Sequence, residues 1–162
     1  MIAAPPPVYP WPIGVGPGYH PTARNPAVSA GRPIGVLRCT SGGAGFAVHI
    51  ELFAKRRVVI VPPRIGAGPN GCTYPLHTTA PTGVVHVRGR GLTLGDLFRV
   101  WGRRLTRTAL LSFRDRVSVF VGGRRWRGEP RSVPLTKHAQ IVVEVGGYVA
   151  PHARYLFPKG DG

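Results

Sequence analysis

The sequence predicts an α+β protein with a mixed or antiparallel β-sheet, one short helix packed on it and a β-grasp-like second half. Three observations support this prediction. Several segments alternate apolar and polar residues as half-buried strands do, one segment carries a full set of helix signals, and both ends are rich in proline and glycine. With 23 Gly and 18 Pro in 162 residues, much of the chain should form turns and loops.

Proline-rich segments mark the limits of one predicted domain. Residues 1–33 contain many prolines and no periodicity, which predicts a Pro-rich N-terminal arm. Large apolar residues in this arm favour packing on the domain over a free linker. Residues 34–147 form the predicted single α+β domain, a size that can bury its own core. Residues 148–162, with aromatic residues among prolines, are predicted to be a C-terminal tail packed on the domain.

The first predicted element is a β-hairpin. Residues 46–52 alternate large apolar side chains with smaller or polar ones, the period-2 pattern of a half-buried strand. Lys55 and Arg56 can turn the chain, and the apolar run 58–61 then forms the partner strand.

A loop, a strand and a helix follow this hairpin. The Gly/Pro-rich segment 64–82 is predicted to be a loop, and residues 84–88 the next strand. Thr93 is a predicted N-cap with Asp96 three residues later, close to a capping box, and Gly102 is the C-terminal stop. Between them, apolar side chains recur at helical spacing: Leu94, Leu97, Phe98 and Trp101.

The second half is predicted to consist of strands. Residues 117–121 form a strand that ends at Gly122 and Gly123, which permit the positive φ angles of a tight hairpin turn. Residues 124–127 would return, and residues 141–145 are the last clear strand. The alternation of strands with a single helix is what indicates the α+β class.

Cys39 and Cys72 are the only two cysteines, and a bond between them would close a loop of about 33 residues. Their separation does not match zinc-finger spacing. A disulfide is the favoured interpretation, and two unpaired buried thiols or a redox or ligand role are the alternatives. A disulfide would indicate an oxidising, extracytoplasmic compartment.

Three histidines form a candidate metal site. His49 and His86 lie on predicted strands, His77 lies on a predicted loop, and Glu51 shares a strand face with His49. Neutral imidazoles bind zinc and copper, so a three-ligand site with one open position is chemically sensible. The favoured interpretation, however, is that each histidine is a hydrogen-bonding residue at the sheet surface and that no metal is bound, because no metal-binding motif fixes their geometry.

The net charge of +16 indicates that the protein attracts polyanions. A GC-rich genome that favours arginine codons is an alternative origin of this charge. The segment Arg124, Arg125, Trp126 and Arg127 combines an aromatic ring with guanidinium groups, which suits anion binding and stacking. It fits equally well a solvated hairpin whose Trp126 turns into the core.

Other classes of function find little support in the sequence. The six acidic residues form no carboxylate pair suited to acid/base catalysis, and no serine lies in a nucleophile elbow, so a non-enzymatic protein is favoured. No apolar run is long enough to span a membrane. The first residues lack the basic and apolar regions of a secretory signal peptide, although they resemble the start of a mature secreted protein.

Five segments together resemble an uncharacterised family of bacterial and archaeal proteins, mainly actinobacterial. These segments are residues 72–77, 83–87, 93–102, 119–123 and 133–141, and the similarity covers about residues 38–158. The resemblance implies an extracytoplasmic or envelope-associated protein and no particular activity. Some relatives carry the motif L-H-T-H-D where this chain has Leu76-His77-Thr78-Thr79-Ala80, which weakens the metal hypothesis.

The sequence therefore predicts a non-enzymatic extracytoplasmic binding domain that engages an anionic envelope polymer or a protein surface. One alternative is a zinc- or copper-binding protein that uses the three histidines. The other is a basic nucleic-acid-binding protein. Charge alone would give only non-specific, salt-sensitive binding to nucleic acid.

Overall fold

The structure, a computed structural model, describes residues 31–160. Nearly all of the predicted N-terminal arm and the last two residues of the tail therefore lie outside the described residues. In chain order the elements are β1 Phe46–Ala54, β2 Arg57–Val59, β3 Leu76–His77, β4 Val84–Val87, α1 Leu94–Trp101, β5 Ala109–Leu110, β6 Phe113–Arg114, β7 Val117–Val121, β8 Arg124–Arg125 and β9 Gln140–Val145. Short 3-10 turns occupy Pro69–Gly71 and Pro130–Ser132.

Seven strands form one mixed sheet in the order β3-β4-β1-β9-β7-β8, with β2 paired to the far end of β1. The central strands β1 and β9 are parallel, and their register runs from His49 opposite Gln140 to Ala54 opposite Val145. The remaining pairs in this sheet are antiparallel. A separate two-stranded sheet consists of β5 and β6. This arrangement confirms the predicted α+β class with a mixed sheet.

The β-grasp-like arrangement extends beyond the second half, where it was predicted. Its central parallel pair joins β1, from the first half of the chain, to β9, from the second. An antiparallel partner flanks each member of this pair, β4 beside β1 and β7 beside β9. The first strand is therefore an integral part of the arrangement.

Both predicted hairpins have two-residue turns with left-handed backbone conformations. Lys55 and Arg56 have φ angles of 49° and 66°, and Gly122 and Gly123 have φ angles of 59° and 81°. Positive φ at both central residues matches the right-handed twist of the flanking strands. The first hairpin adopts this geometry without glycine.

Helix α1 has the predicted termini. The Thr93 hydroxyl accepts a hydrogen bond from the Asp96 amide at 3.3 Å, and the Asp96 carboxylate accepts one from the Thr93 amide at 2.9 Å. Gly102 ends the helix in a left-handed conformation, with φ 69°. The capping box is thus complete, and it satisfies backbone donors that the first helical turn leaves free.

One face of the sheet and one face of α1 enclose the main core. From the sheet it includes Val48, Ile50, Leu52, Val85, Val87, Val119, Ile141 and Val143, and from the helix Leu94, Leu97, Phe98 and Trp101. Alternation along the strands leaves a second face of the sheet pointing away from the helix.

Three short strands differ from the predictions. Residues 64–82 were predicted to be entirely loop, yet β3 lies within them and carries His77. Strands β5 and β6 have no counterpart among the elements predicted from the sequence. Each of these strands has two residues, which is too short to show a periodicity of two.

The disulfide between Cys39 and Cys72 is confirmed, with the two Cα atoms 5.3 Å apart. It joins the segment that precedes β1 to the loop between β2 and β3. The described residues contain no free cysteine. In the same part of the chain, the structure contains no helix with the length and apolarity needed to cross a membrane.

Replacing both Cys39 and Cys72 with alanine should lower the free energy of unfolding by about 3–4 kcal/mol, because the bond closes a loop whose ends are 33 residues apart. Urea denaturation monitored by circular dichroism measures this loss. The exposed Ser41→Ala variant is the control, and its stability should match that of the wild type. Equal stability of the double variant and the wild type would contradict the expectation.

Candidate functional site

Four polar side chains lie on the second face of the sheet, in its two central strands. His49, Glu51, Gln140 and Glu144 have exposed fractions of 0%, 6%, 3% and 2% respectively. Polar groups buried to this degree are costly unless they are hydrogen-bonded. The hydrogen-bond partners of these four side chains therefore determine how much their burial costs.

A chain of hydrogen bonds links three of these side chains. His49 Nε2 lies 2.9 Å from the Thr82 carbonyl oxygen, and His49 Nδ1 lies 2.6 Å from Gln140 Oε1. Gln140 Nε2 donates to Glu51 Oε2 at 2.9 Å. The parallel register makes this chain possible because it places His49 directly opposite Gln140.

The contact with Thr82 determines which ring nitrogen of His49 carries a proton. The Thr82 carbonyl only accepts, so His49 Nε2 must carry a proton. Burial lowers the pKa of His49, against the raising effects of Gln140, Thr82 and Glu51.

The C-terminal segment 148–157 covers this polar face. The ring of Tyr155 stacks on His49, with centroids 3.7 Å apart and planes 5° from parallel. His152 Nδ1 lies 3.0 Å from each carboxylate oxygen of Glu51. The face that α1 leaves open is thus closed by side chains from the end of the chain.

Glu144 is the least satisfied group beneath this segment. Its Oε1 accepts a hydrogen bond from the Val149 amide at 3.1 Å, whereas its buried Oε2 has no hydrogen-bond partner among the described residues. Burial raises the pKa of Glu144 above its ordinary value.

The three histidines of the predicted metal site do not form one cluster. His77 and His86 are cross-strand partners in β3 and β4, with ring centroids 5.2 Å apart. His49 instead uses both ring nitrogens for the contacts with Thr82 and Gln140. Within residues 31–160, no group of three or more His, Cys, Asp or Glu side chains could hold a metal ion. Strand pairing brings His77 and His86 together, whereas His49 is held apart from them by its contacts with Thr82 and Gln140.

The second candidate site is the basic β7–β8 hairpin, which borders a surface groove of about 190 Å³. Arg125, Trp126 and Arg127 line this groove, as does Arg107 from the loop before β5. Arg124 lies at the hairpin turn and does not line it. We call this feature the hairpin groove.

Trp126 has both a packing role and an exposed role in the hairpin groove. Its amide donates to the Val119 carbonyl at 2.8 Å, and its indole Nε1 donates to the Glu129 carbonyl at 3.0 Å. The ring packs against the main core while remaining partly exposed. The ring orientation is therefore fixed by contacts within the protein, as the core interpretation of Trp126 required.

The hairpin groove has an excess of positive charge. Arg107 Nε donates to Glu129 Oε1 at 2.6 Å, which partly neutralises one arginine. Arg125 and Arg127 are exposed and take part in no salt bridge within the described part of the chain. Their guanidinium groups are available to an anion.

Sequence reasoning missed several residues of these sites. Gln140 precedes the predicted last strand by one residue, and its two-residue spacing from Val142 and Glu144 would have placed it on the same face. His152, Tyr155 and Arg107 reach their sites through tertiary folding, and no local pattern indicated their roles.

Comparisons of the chain with protein-family models, curated proteins and solved structures found no match. The resemblance to an extracytoplasmic family therefore stays a prediction.

Replacing Tyr155 with alanine should loosen the C-terminal segment, because the variant loses the ring that stacks on His49. Trypsin cleavage after the exposed Arg154 should then become about fivefold faster or more, since proteolysis follows local opening. Mass spectrometry of timed digests measures this rate. Leu156→Ala is the control, because Leu156 is 55% exposed. Equal cleavage rates in both variants would argue against a closed segment.

Replacing Glu144 with glutamine should stabilise the protein at pH 7 by about 1 kcal/mol, since the buried Oε2 of the carboxylate has no hydrogen-bond partner among the described residues. A carboxyl group with a raised pKa favours folding at low pH, and this contribution is lost as pH rises through the folded-state pKa. The advantage of the variant should therefore shrink towards pH 4.

Chemical denaturation at several pH values measures the difference between this variant and the wild type. The exposed Glu129→Gln variant is the control for loss of a carboxylate. A Glu144→Gln advantage that is constant with pH would refute the assigned cause.

Proposed function

We propose that this protein is a non-enzymatic, extracytoplasmic binding domain that engages an anionic polymer of the cell envelope through the hairpin groove. The observation that carries the proposal is the convergence of Arg107, Arg125 and Arg127 around a partly exposed indole. Guanidinium groups pair with phosphate and sulfate through charge-assisted hydrogen bonds. A fixed aromatic ring beside them suits contact with a sugar face.

The distribution of acidic groups supports a binding role for this surface. Glu51 and Glu144 are buried beneath the C-terminal segment, and Asp96 is used in the helix cap. Among the described acidic residues, only Asp115 and Glu129 are exposed. Few carboxylates therefore compete with a polyanion for the surface arginines.

The disulfide supports the choice of compartment. Such bonds form and persist mainly in oxidising environments outside the cytoplasm. A polymer of the envelope is then a more accessible partner than nucleic acid. Nucleic acid offers similar charge, so it is the competing outcome in the test below.

The test compares two double variants that lose the same charge. Arg125→Ser with Arg127→Ser should weaken binding to dextran sulfate about tenfold or more at physiological salt, because two charge-assisted contacts are lost. The control, Arg57→Ser with Lys137→Ser, removes two exposed charges outside the groove. It should weaken binding by less than about threefold.

Fluorescence anisotropy with labelled dextran sulfate at several salt concentrations gives the affinities. Equal losses in the two variants would overturn the proposal, because binding would then depend only on net charge. Tighter binding to duplex DNA than to dextran sulfate, with the same dependence on Arg125 and Arg127, would replace it with the nucleic-acid alternative.

A further inference from the structure

A second basic pocket lies near the opposite edge of the sheet. Its volume is about 220 Å³, and its walls include His77 of β3, His86 of β4 and Arg88, which follows β4. Gly43 and Gly45 close it from the segment before β1. No acidic residue is among the described residues that line this pocket. We call it the histidine pocket.

The two histidines form a cross-strand pair. Their rings lie at an interplanar angle of 30°, and the Thr79 hydroxyl lies 3.5 Å from His86 Nε2. Burial, followed by the charges of His86 and Arg88, lowers the pKa of His77 to about 4. Two basic groups thus lie beside His77, and no carboxylate is among the described residues that line the pocket.

Arg88 is only partly satisfied by the protein. Its Nη2 donates to the carbonyl oxygen and the hydroxyl of Thr73, at 2.6 and 3.0 Å. Its buried Nη1 has no hydrogen-bond partner among the described residues. The guanidinium group is thus anchored on one side and retains hydrogen-bonding capacity on the other that the described residues do not use.

The glycine segment allows close approach to this arginine. A side chain at Gly43 would contact Arg88 Cδ at 3.4 Å, and the backbone there has φ 146°. A side chain at Gly45 would collide with the Val87 carbonyl group. The shape of the histidine pocket therefore depends on both glycines.

We propose that the histidine pocket is a binding site for a single oxyanionic group, such as sulfate or phosphate, held by Arg88, His77 and His86. The site uses none of the side chains of the hairpin groove and does not depend on the function proposed for it. The group could be a free inorganic anion or the esterified terminal group of a larger molecule, since both present the same oxygens.

The experiment titrates sodium sulfate into isotopically labelled protein at pH 7, with sodium chloride at matched ionic strength as the reference. Two-dimensional NMR follows the imidazole and backbone signals. We expect saturable shifts at His77, His86 and Gly43 that chloride does not reproduce. Absence of such shifts, or shifts spread evenly over exposed arginines, would overturn the proposal.

Substitutions locate the site independently of folding defects. Arg88→Gln and His86→Gln should each weaken sulfate binding at least about fivefold, because the first removes the guanidinium charge and the second removes the imidazole ring. His138→Gln is the matched control, since His138 is exposed and does not line the pocket. If Arg88→Gln fails to fold, the His86→Gln variant decides, and unchanged binding in it would reject the site.

Two further titrations identify the source of the anion. Methyl phosphate that binds as tightly as inorganic phosphate supports an esterified terminal group, and binding of inorganic phosphate alone supports a free anion. Zinc provides the opposing outcome. Saturable zinc binding at His77 and His86 without a sulfate response would restore a metal site and reject the anion site.

Discussion

The parallel pairing of β1 with β9 is the constraint on which the rest of the structure depends. It joins segments separated by 91 residues, from His49 and Gln140 at one end to Ala54 and Val145 at the other. Both strands are buried on both faces, so neither is stable at the centre of the sheet without additional cover. Helix α1 covers one face and the C-terminal segment covers the other. The hairpin groove and the histidine pocket lie towards opposite edges of the sheet, on either side of this central pair.

The polar groups on the second face make the register of this pair specific. A slip of one residue in this register would turn His49 and Glu51 towards the apolar core beneath α1, where they would have no hydrogen-bond partner. In the observed register, Gln140 joins the two groups and His152 completes the contacts of Glu51. Purely apolar central strands would tolerate alternative pairings more easily. The buried hydrogen-bond chain therefore contributes specificity as well as stability.

Local signals were sufficient for the elements whose geometry is determined locally. Thr93 and Gly102 fixed the helix ends because capping depends on neighbouring backbone groups, and Gly122 marked a turn for the same reason. The pairing of β1 with β9 could not be predicted, because apolar alternation does not identify a strand's neighbour. The candidate sites had the same limit. His77 and His86 meet through strand register, while Arg107 joins the hairpin groove through the fold of a loop.

The outer strands of the large sheet are all short. At the edges, β3 and β8 each have two residues and β2 has three, and the residues of β8 are both arginine. A long edge strand offers a row of unpaired amides and carbonyls on which another chain can add a strand. Here each edge offers too few of these groups for stable addition, and like charges on β8 repel a second copy. The architecture thus protects a valine-rich sheet from edge-to-edge aggregation at high protein concentration.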